Sequence, residues 1–346
     1  MADKKSHSLS KRRNGACVNI MINRNYFKDK KILVAGGAGF VGTNLIKKLL
    51  ECEAQVRAVD IKELQIQDER IEYFKCDLIR KEECQKAVKN IDLVFMVAAN
   101  TSGAAVMEKT PLVHVTPNVI MNSLMLEAAY EAGVKKFLFA SSNTVYPVLD
   151  RPAEENDMKY GNLFSKYYFV GWMKQFSEVL CEMYTKIKNP MKTIVVRPAN
   201  IYGPYDHFGL ETSHVIPALI RKVVERHSPI EVWGDGNDIK DFIYIDDLVE
   251  GDLLAMEKIE NFNPVNIASG LPCTIKEVLR AILEADNYQN AKVVFNVSQP
   301  TMIPKRLINT IKAKEILGFE AKTPLSDGIK KTVDWYKKNN TKNNQQ

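Results

Sequence analysis

The chain has 346 residues, 45% of them apolar and 26% charged, with a net charge of +6. No run of about 18 apolar residues reads as a membrane span, and the length suits one large or two unequal domains. Nine lysines and arginines against two aspartates fall within residues 1–31, a surplus of +7 that leaves the rest at −1, so a basic tail precedes a neutral body and argues against a nucleic-acid surface on the fold.

Residues 1–29 are expected to be a disordered, solvated basic extension. "ACVNIMI" (16–22) is short, is broken by Asn19 and lacks a cleavage site, so it is not read as a signal peptide. "KILVAGG" (31–37) is an apolar run ending in glycines, and "FVGTNLIKKLLE" (40–51) follows with helical spacing, Val41, Leu45, Ile46, Leu49 and Leu50 lying along one side. "QVRAVD" (55–60), "DLVFMVAA" (92–99), "KKFLFASS" (135–142) and "KTIVVRP" (192–198) are further strands, separated by helices near 80–90, 116–132 and 165–187. Near-continuous apolar strands alternating with helices predict a Rossmann-type doubly wound parallel sheet. After Pro198 come short strands, "IEVWG" (230–234), "DFIYI" (241–245) and "PVNIAS" (264–269), with helices near 213–227, 246–258, 274–285 and 325–338. The expected organisation is a dinucleotide-binding domain over 30–200 and a smaller α/β substrate domain over 201–338. A segment near 235–268 interleaves with the first domain, and a disordered tail occupies 339–346. Cysteines at 17, 52, 76, 84, 181 and 273 show no CxxC and no zinc spacing, which suggests the cytoplasm and no metal site.

"GGAGFVG" places Gly36, Gly39 and Gly42 between a strand and a helix, with an acidic residue at the end of the next strand. The first glycine permits the tight turn, the second lets a pyrophosphate approach, and the third lets helix pack on strand. The N–H groups of Phe40 and Val41 would meet the phosphates. Asp60 would accept hydrogen bonds from ribose hydroxyls and repel a 2′-phosphate, favouring NAD over NADP; Arg57 points the other way. Asp77, with Leu78 in "CDL" (76–78), follows the third strand as a candidate for the adenine or as an ordinary loop aspartate.

These glycines, with "SSNTVYP" (141–147), "RPANIYGP" (197–204), "WGDGNDIKDFIYIDDLVEG" (233–251) and "KAKEILGF" (312–319), resemble the extended short-chain dehydrogenase/reductases acting on nucleotide sugars. The likeness runs from about residue 30 to 338. "VYP" and "GPYDHFGLETSHVIPALIRK" (203–222) are similar to the GDP-fucose synthase branch. The resemblance implies a nucleotide-sugar substrate, no membrane insertion, and a homodimer joined through the 116–132 and 165–187 helices. It adds Ala98, Ala99, Asn118, Pro198 and Ile201 to the cofactor set. It assigns Asn200, His214, Arg221, Lys222, Lys240 and Arg306 to the substrate, where cations would neutralise a pyrophosphate. The bland alternatives are solvated bases at Lys222, Lys240 and Arg306, and a packing or helix-cap histidine at His214, with Thr212 or Ser213 starting the helix.

The resemblance also implies a Ser–Tyr–Lys apparatus. Its serine is Ser142. Its lysine is Lys174 in preference to Lys166, because only Lys174 has Glu178 four residues on and Arg197 twenty-three on. The tyrosine's place, one helical turn before Lys174, is then Val170, which has no proton to give or take. Three readings stay open: a catalytically dead NAD or sugar-nucleotide binding protein, a substitute tyrosine, or a proton route through Ser142, Thr144 and Lys174. Helical geometry turns Tyr168 away and puts Tyr167 too far along the axis to pair directly with Lys174; Tyr160, in "YGNLFSK" (160–166), keeps a second register possible. Thr144 stands where the fucose synthases have a cysteine that works with a histidine matching His214, so double epimerisation is not expected. Asn143 and Thr144 replace the acidic pair of the 4,6-dehydratases. Oxidation at C4 of a GDP-linked hexose or heptose survives, either as net dehydrogenation or as the first half of an epimerisation.

Overall fold

The computed structural model describes residues 22–100, 110–210, 212–299 and 301–343. Most of the basic extension lies outside these residues, but its end is ordered, contrary to expectation. Arg24–Phe27 forms one helical turn, α1, whose Phe27 is fully buried and whose Tyr26 hydroxyl donates to the Met256 carbonyl at 3.3 Å. An edge-to-face contact between Tyr26 and Phe27 supports this anchor.

The first half alternates as the apolar runs predict: β1 (Lys31–Ala35), α2 (Phe40–Glu51), β2 (Gln55–Asp60), β3 (Ile71–Lys75), α3 (Lys81–Ala87), β4 (Leu93–Met96), α4 (Thr116–Glu131), β5 (Lys136–Ala140), α5 (Tyr168–Tyr184) and β6 (Lys192–Pro198). The second half contributes β7 (Asn200–Tyr202), α6 (Val215–Val224), β8 (Ile230–Trp233), β9 (Ile239–Lys240), β10 (Phe242–Tyr244), α7 (Ile245–Lys258), β11 (Val265–Ile267), β12 (Cys273–Thr274), α8 (Ile275–Ala285), β13 (Val293–Asn296), β14 (Lys305–Arg306), α9 (Ile311–Leu317) and α10 (Leu325–Asn343).

Seven strands form one parallel sheet in the order β11-β6-β5-β4-β1-β2-β3. The chain order reverses between β1 and β4, which makes the crevice beyond their C-terminal ends the place for a ligand in a sheet of this type. Every residue of β4 is buried, as are all but the first of β1, because helices cover both faces. The halves interleave: β11 completes the sheet beside β6. Pairs β7–β10 and β8–β13 and the strip β12-β9-β14 build the remainder. The last helix runs to Asn343, into the segment expected to be a disordered tail. Asn339 and Asn340 each bond back one turn, to the Trp335 carbonyl and the Tyr336 hydroxyl, and Asn340 also reaches Glu225.

Candidate active site

The glycine turn is built by close approach. Gly36 has φ +90°, and a β-carbon on it would stand 2.6 Å from the backbone of Ala98, the residue that leaves β4 across the switch point. A β-carbon on Gly42 would come within 2.0 Å of the Gly36 carbonyl oxygen, so the first turn of α2 lies directly on the loop. Gly39 caps α2 without a side chain, leaving the first-turn N–H groups, those of Phe40 and Val41 included, without intrahelical acceptors and open to an anion. Asp60 ends β2 beside this turn, its carboxylate accepting the N–H of Ala38 (3.1 Å) and of Lys62 (3.0 Å). Arg57 is used elsewhere: it forks onto Glu72 (2.9 and 3.0 Å) and donates to the carbonyls of Ala87 and Lys89. Asp77 accepts the Ile79 N–H after β3, and Leu78 is buried. Asn118 exchanges bonds with the backbone of Asn100 and donates to His114, fastening the chain after β4. Ala99 is exposed just past β4; Pro198 ends β6, and Ile201 lies in β7. A cleft between Lys31, Arg57 and Arg70 opens at the N-terminal ends of β1 and β2, away from the glycine turn, but its two arginines are already paired with Glu72 and Asp68.

Beyond β5 the chain makes a short 3-10 turn, Asn143–Val145, closed by the Thr144 N–H donating to Ser142 Oγ at 3.1 Å. The Thr144 hydroxyl oxygen is buried with no partner among the described residues. Helix α5 presses on this turn at Gly171, where a β-carbon would stand 2.9 Å from the Thr144 carbonyl oxygen. One turn further, Lys174 is buried, donates to the Ala140 carbonyl at 2.7 Å, and lies 4.8 Å from the centre of the Phe139 ring. Burial pushes its pKa down to about 8 against the opposing pull of Glu178. Lys166 donates instead to the Thr301 carbonyl at 2.5 Å.

Val170 does not border an open slot. It belongs to an apolar cluster with Tyr167, Met173 and Ile303, flanked by Val119, Phe164 and Met302. Tyr167 fills this cluster and burial raises its phenol to about 12, whereas Tyr160 and Tyr168 are exposed. The Tyr146 hydroxyl accepts from Arg197 (3.0 Å) and donates to Asn266 (2.5 Å). No phenol hydroxyl bonds Lys174 among the described residues.

The residues assigned to the substrate fall into two groups. Lys240 and Arg306 are in register on the paired strands β9 and β14, and both are buried. Lys240 donates to the Ile303 carbonyl and to Asp238; Arg306 donates to the carbonyls of Pro147 (2.7 Å) and Tyr146 (3.1 Å), with its Nε unpartnered among the described residues. They are not the solvated bases that the bland alternative required, and Arg306 bonds the chain directly after the turn that holds Ser142 and Thr144. Asn200 donates to the Asp241 carbonyl. Around α6, Arg221 bonds Glu225 and the Phe208 carbonyl, and Lys222 donates to the Glu231 carbonyl at 2.7 Å. His214 itself caps α6 and stays exposed. Neither Thr212 nor Ser213 starts this helix, which begins at Val215 after His214, and the Thr212 hydroxyl is paired with His207.

Three neighbours of the candidate site were not picked out from the sequence. Ile303 and Met302 cover Val170 from a distant segment and gave no periodic signal; Gly171, a glycine inside a helical pattern, was a visible sign of close approach.

Three comparisons accompany this geometry. The model of the NAD dependent epimerase/dehydratase family matches residues 32–268. The chain is 30% identical over 321 residues to a probable GDP-L-fucose synthase 1 of Oryza sativa subsp. japonica, covering 90% of this chain and 93% of that one. Its fold is similar to the UDP-glucose 4-epimerase of Thermotoga maritima solved with UDP-glucose (TM-score 0.80, 28% identity, 89% and 99% of the two chains), and to MoeE5 in complex with UDP-glucose and NAD (TM-score 0.79, 25% identity, 89% and 99%). By its glycine turn, its sheet order and this match over most of its length, the chain belongs to the NAD dependent epimerase/dehydratase family.

Proposed function

We propose that this protein is an NAD-dependent nucleotide-sugar oxidoreductase that oxidises C4 of a GDP-linked hexose or heptose. The carrying observation is the seating of Lys174 at the end of β5, beside Ser142 and Thr144, with an aliphatic residue one turn before it. The guanine nucleotide is inferred from likeness to a GDP-L-fucose synthase.

The residues present fit NAD. The close approach at Gly36 and Gly42 holds the first turn of α2 against the glycine loop, which leaves the Phe40 and Val41 N–H groups for a pyrophosphate, and the Asp60 carboxylate beside that turn would accept from ribose hydroxyls. When bound, NAD supplies the hydride acceptor. Gly39, Phe40 and Val41 hold phosphate through N–H groups. Asp77, Leu78, Ala98, Ala99, Asn118, Pro198 and Ile201 shape the rest of the crevice. Ser142 and Thr144 orient the reacting sugar hydroxyl, the buried Thr144 oxygen having no other partner among the described residues. Lys174, neutral above a pKa of about 8, takes the proton directly or through water. Lys240 and Arg306, with Asn200, His214, Arg221 and Lys222 contributing, neutralise the diphosphate.

The homodimer is proposed through α5, whose Tyr168, Phe169, Trp172, Phe176 and Met183 are exposed. Cytoplasmic residence accords with the unpaired described cysteines.

A binding protein without turnover is the second reading, favoured by the apolar burial of Val170. The test releases NAD(H) from denatured protein, then offers GDP-mannose and related nucleotide sugars while absorbance at 340 nm and product mass are followed. Cofactor reduction with loss of two hydrogens from the sugar supports oxidation. An unchanged oxidation level with an altered sugar supports 4-epimerisation, and bound cofactor without turnover supports the binding protein.

A further inference from the structure

The first turns of α2 are tied to a loop from the other half of the chain. Asn44, buried one turn after Phe40, spends its amide nitrogen on two carbonyls, that of Phe40 at 2.9 Å and that of Pro204 at 3.0 Å. Lys47, three residues on and so on the same side of the helix, lies 5.4 Å from the centre of the Tyr205 ring. Pro204 and Tyr205 follow β7 and begin the segment that leads to α6. The next fixed point is Phe208. Its carbonyl accepts from Arg221 Nη1 on α6 at 3.2 Å, and its ring stacks on Tyr336 of α10 at 4.5 Å. The helix that offers N–H groups to a dinucleotide phosphate and the helix that carries Arg221 therefore grip one short segment, 203–208.

That segment is held in a costly conformation. Tyr205 has φ +69°, a left-handed backbone that residues other than glycine adopt rarely, and one carboxyl oxygen of Asp206 is buried with no partner among the described residues. A β-carbon on Gly203 would stand 2.4 Å from Ile245, so the segment starts pressed against α7. Such strain persists where the surroundings hold it, and here Asn44, Lys47, Arg221 and α10 do so.

We propose that Asn44 is a positioning residue that couples two ligand sites. By holding Pro204 against α2, it makes the posture of the segment feeding α6 depend on what occupies the glycine turn, so that a dinucleotide and a nucleoside diphosphate bind cooperatively. This rests on the reading of the protein as an NAD-dependent nucleotide-sugar enzyme. A phosphate on the Phe40 and Val41 N–H groups settles the first turn of α2, the Asn44 amide passes that setting to Pro204, and Arg221 meets it at the Phe208 carbonyl. The bridge needs a side chain with two donors: leucine has none, and a carboxylate would face two carbonyl oxygens. Coupling of this kind is reciprocal, each ligand tightening the other by the same factor.

The test is isothermal titration calorimetry. NAD is titrated with and without saturating GDP, and GDP with and without saturating NAD; UDP replaces GDP in a parallel series. The wild type should show a coupling factor of about five or more, equal in both directions. Asn44→Leu should abolish the coupling while each ligand alone still binds. Because Asn44 is buried and its replacement can cost the fold, Lys47→Met at an exposed position is the second arm; it should lower the coupling at an unchanged melting temperature. Lys48→Met, which removes an ion pair with Glu51, should leave the coupling as it is. A purely structural role for Asn44 would lower the melting temperature and both affinities without changing the coupling. Wild-type protein that binds both ligands independently overturns the proposal, as does unchanged coupling in Asn44→Leu and Lys47→Met or an equal fall in Lys48→Met. Wild-type protein that binds neither GDP nor UDP removes the nucleotide-sugar reading, and the proposal with it.

Discussion

The carbonyl of Ala140, last residue of β5, accepts a 2.7 Å hydrogen bond from Lys174 Nζ. This bond joins the C-terminal edge of the sheet to α5 and fixes the amine beside the turn that carries Ser142 and Thr144.

Lys174→Met should lower the rate of cofactor reduction by about 100-fold or more, the usual range for a lost acid–base group. Ser142→Ala and Thr144→Ala should each lower it too; unchanged rates in both would exclude the hydroxyl route. The wild-type rate should rise with pH through about 8, as the amine becomes neutral.

The same lysine should weaken the fold at neutral pH. Its folded pKa, about 8, lies below the ordinary 10.5, so the unfolded chain binds more protons between those values and stability rises with pH across that window. The cost below pH 8 is of order 3 kcal/mol. Lys174→Met should therefore raise the melting temperature at pH 7 and flatten its rise between pH 8 and 10, which scanning calorimetry would check.

Val170→Tyr should not restore a catalytic phenol. The ring would have to displace Ile303 and Met302, and overpacking of this kind costs about 1–3 kcal/mol. Thermal melts should show the loss, and Val170→Tyr/Ile303→Ala should recover part of it. A faster rate in the single variant at unchanged stability would show that the slot is open after all.

Gly36→Ala should abolish cofactor retention, since its β-carbon meets the Ala98 backbone and its φ is positive. Asp60→Asn should spare the fold but reduce the preference for NAD over NADP about tenfold, read from the two dissociation constants.

Trp172→Glu/Phe176→Glu should convert a dimer into monomer in analytical ultracentrifugation while leaving the far-ultraviolet circular dichroism unchanged, because both side chains are exposed on α5.

The resemblance picked Lys174 over Lys166 by the offsets of Glu178 and Arg197, and in the structure those two residues are each other's buried partners. The end of the basic extension was misjudged because Phe27 is buried among residues remote in the chain, and composition does not report such contacts. The positions of Lys240 and Arg306 followed from motif likeness; that they are buried and bonded to backbone carbonyls did not.

The sequence by itself determined the parallel sheet and the glycine turn, because apolar period and glycine spacing are local properties written in consecutive residues. Only the tertiary structure decided that Val170 joins Ile303 in one buried apolar cluster and that Arg306 grips the Tyr146–Pro147 turn. Those contacts join segments far apart in the chain, where close packing chooses the neighbours and no periodicity records the choice.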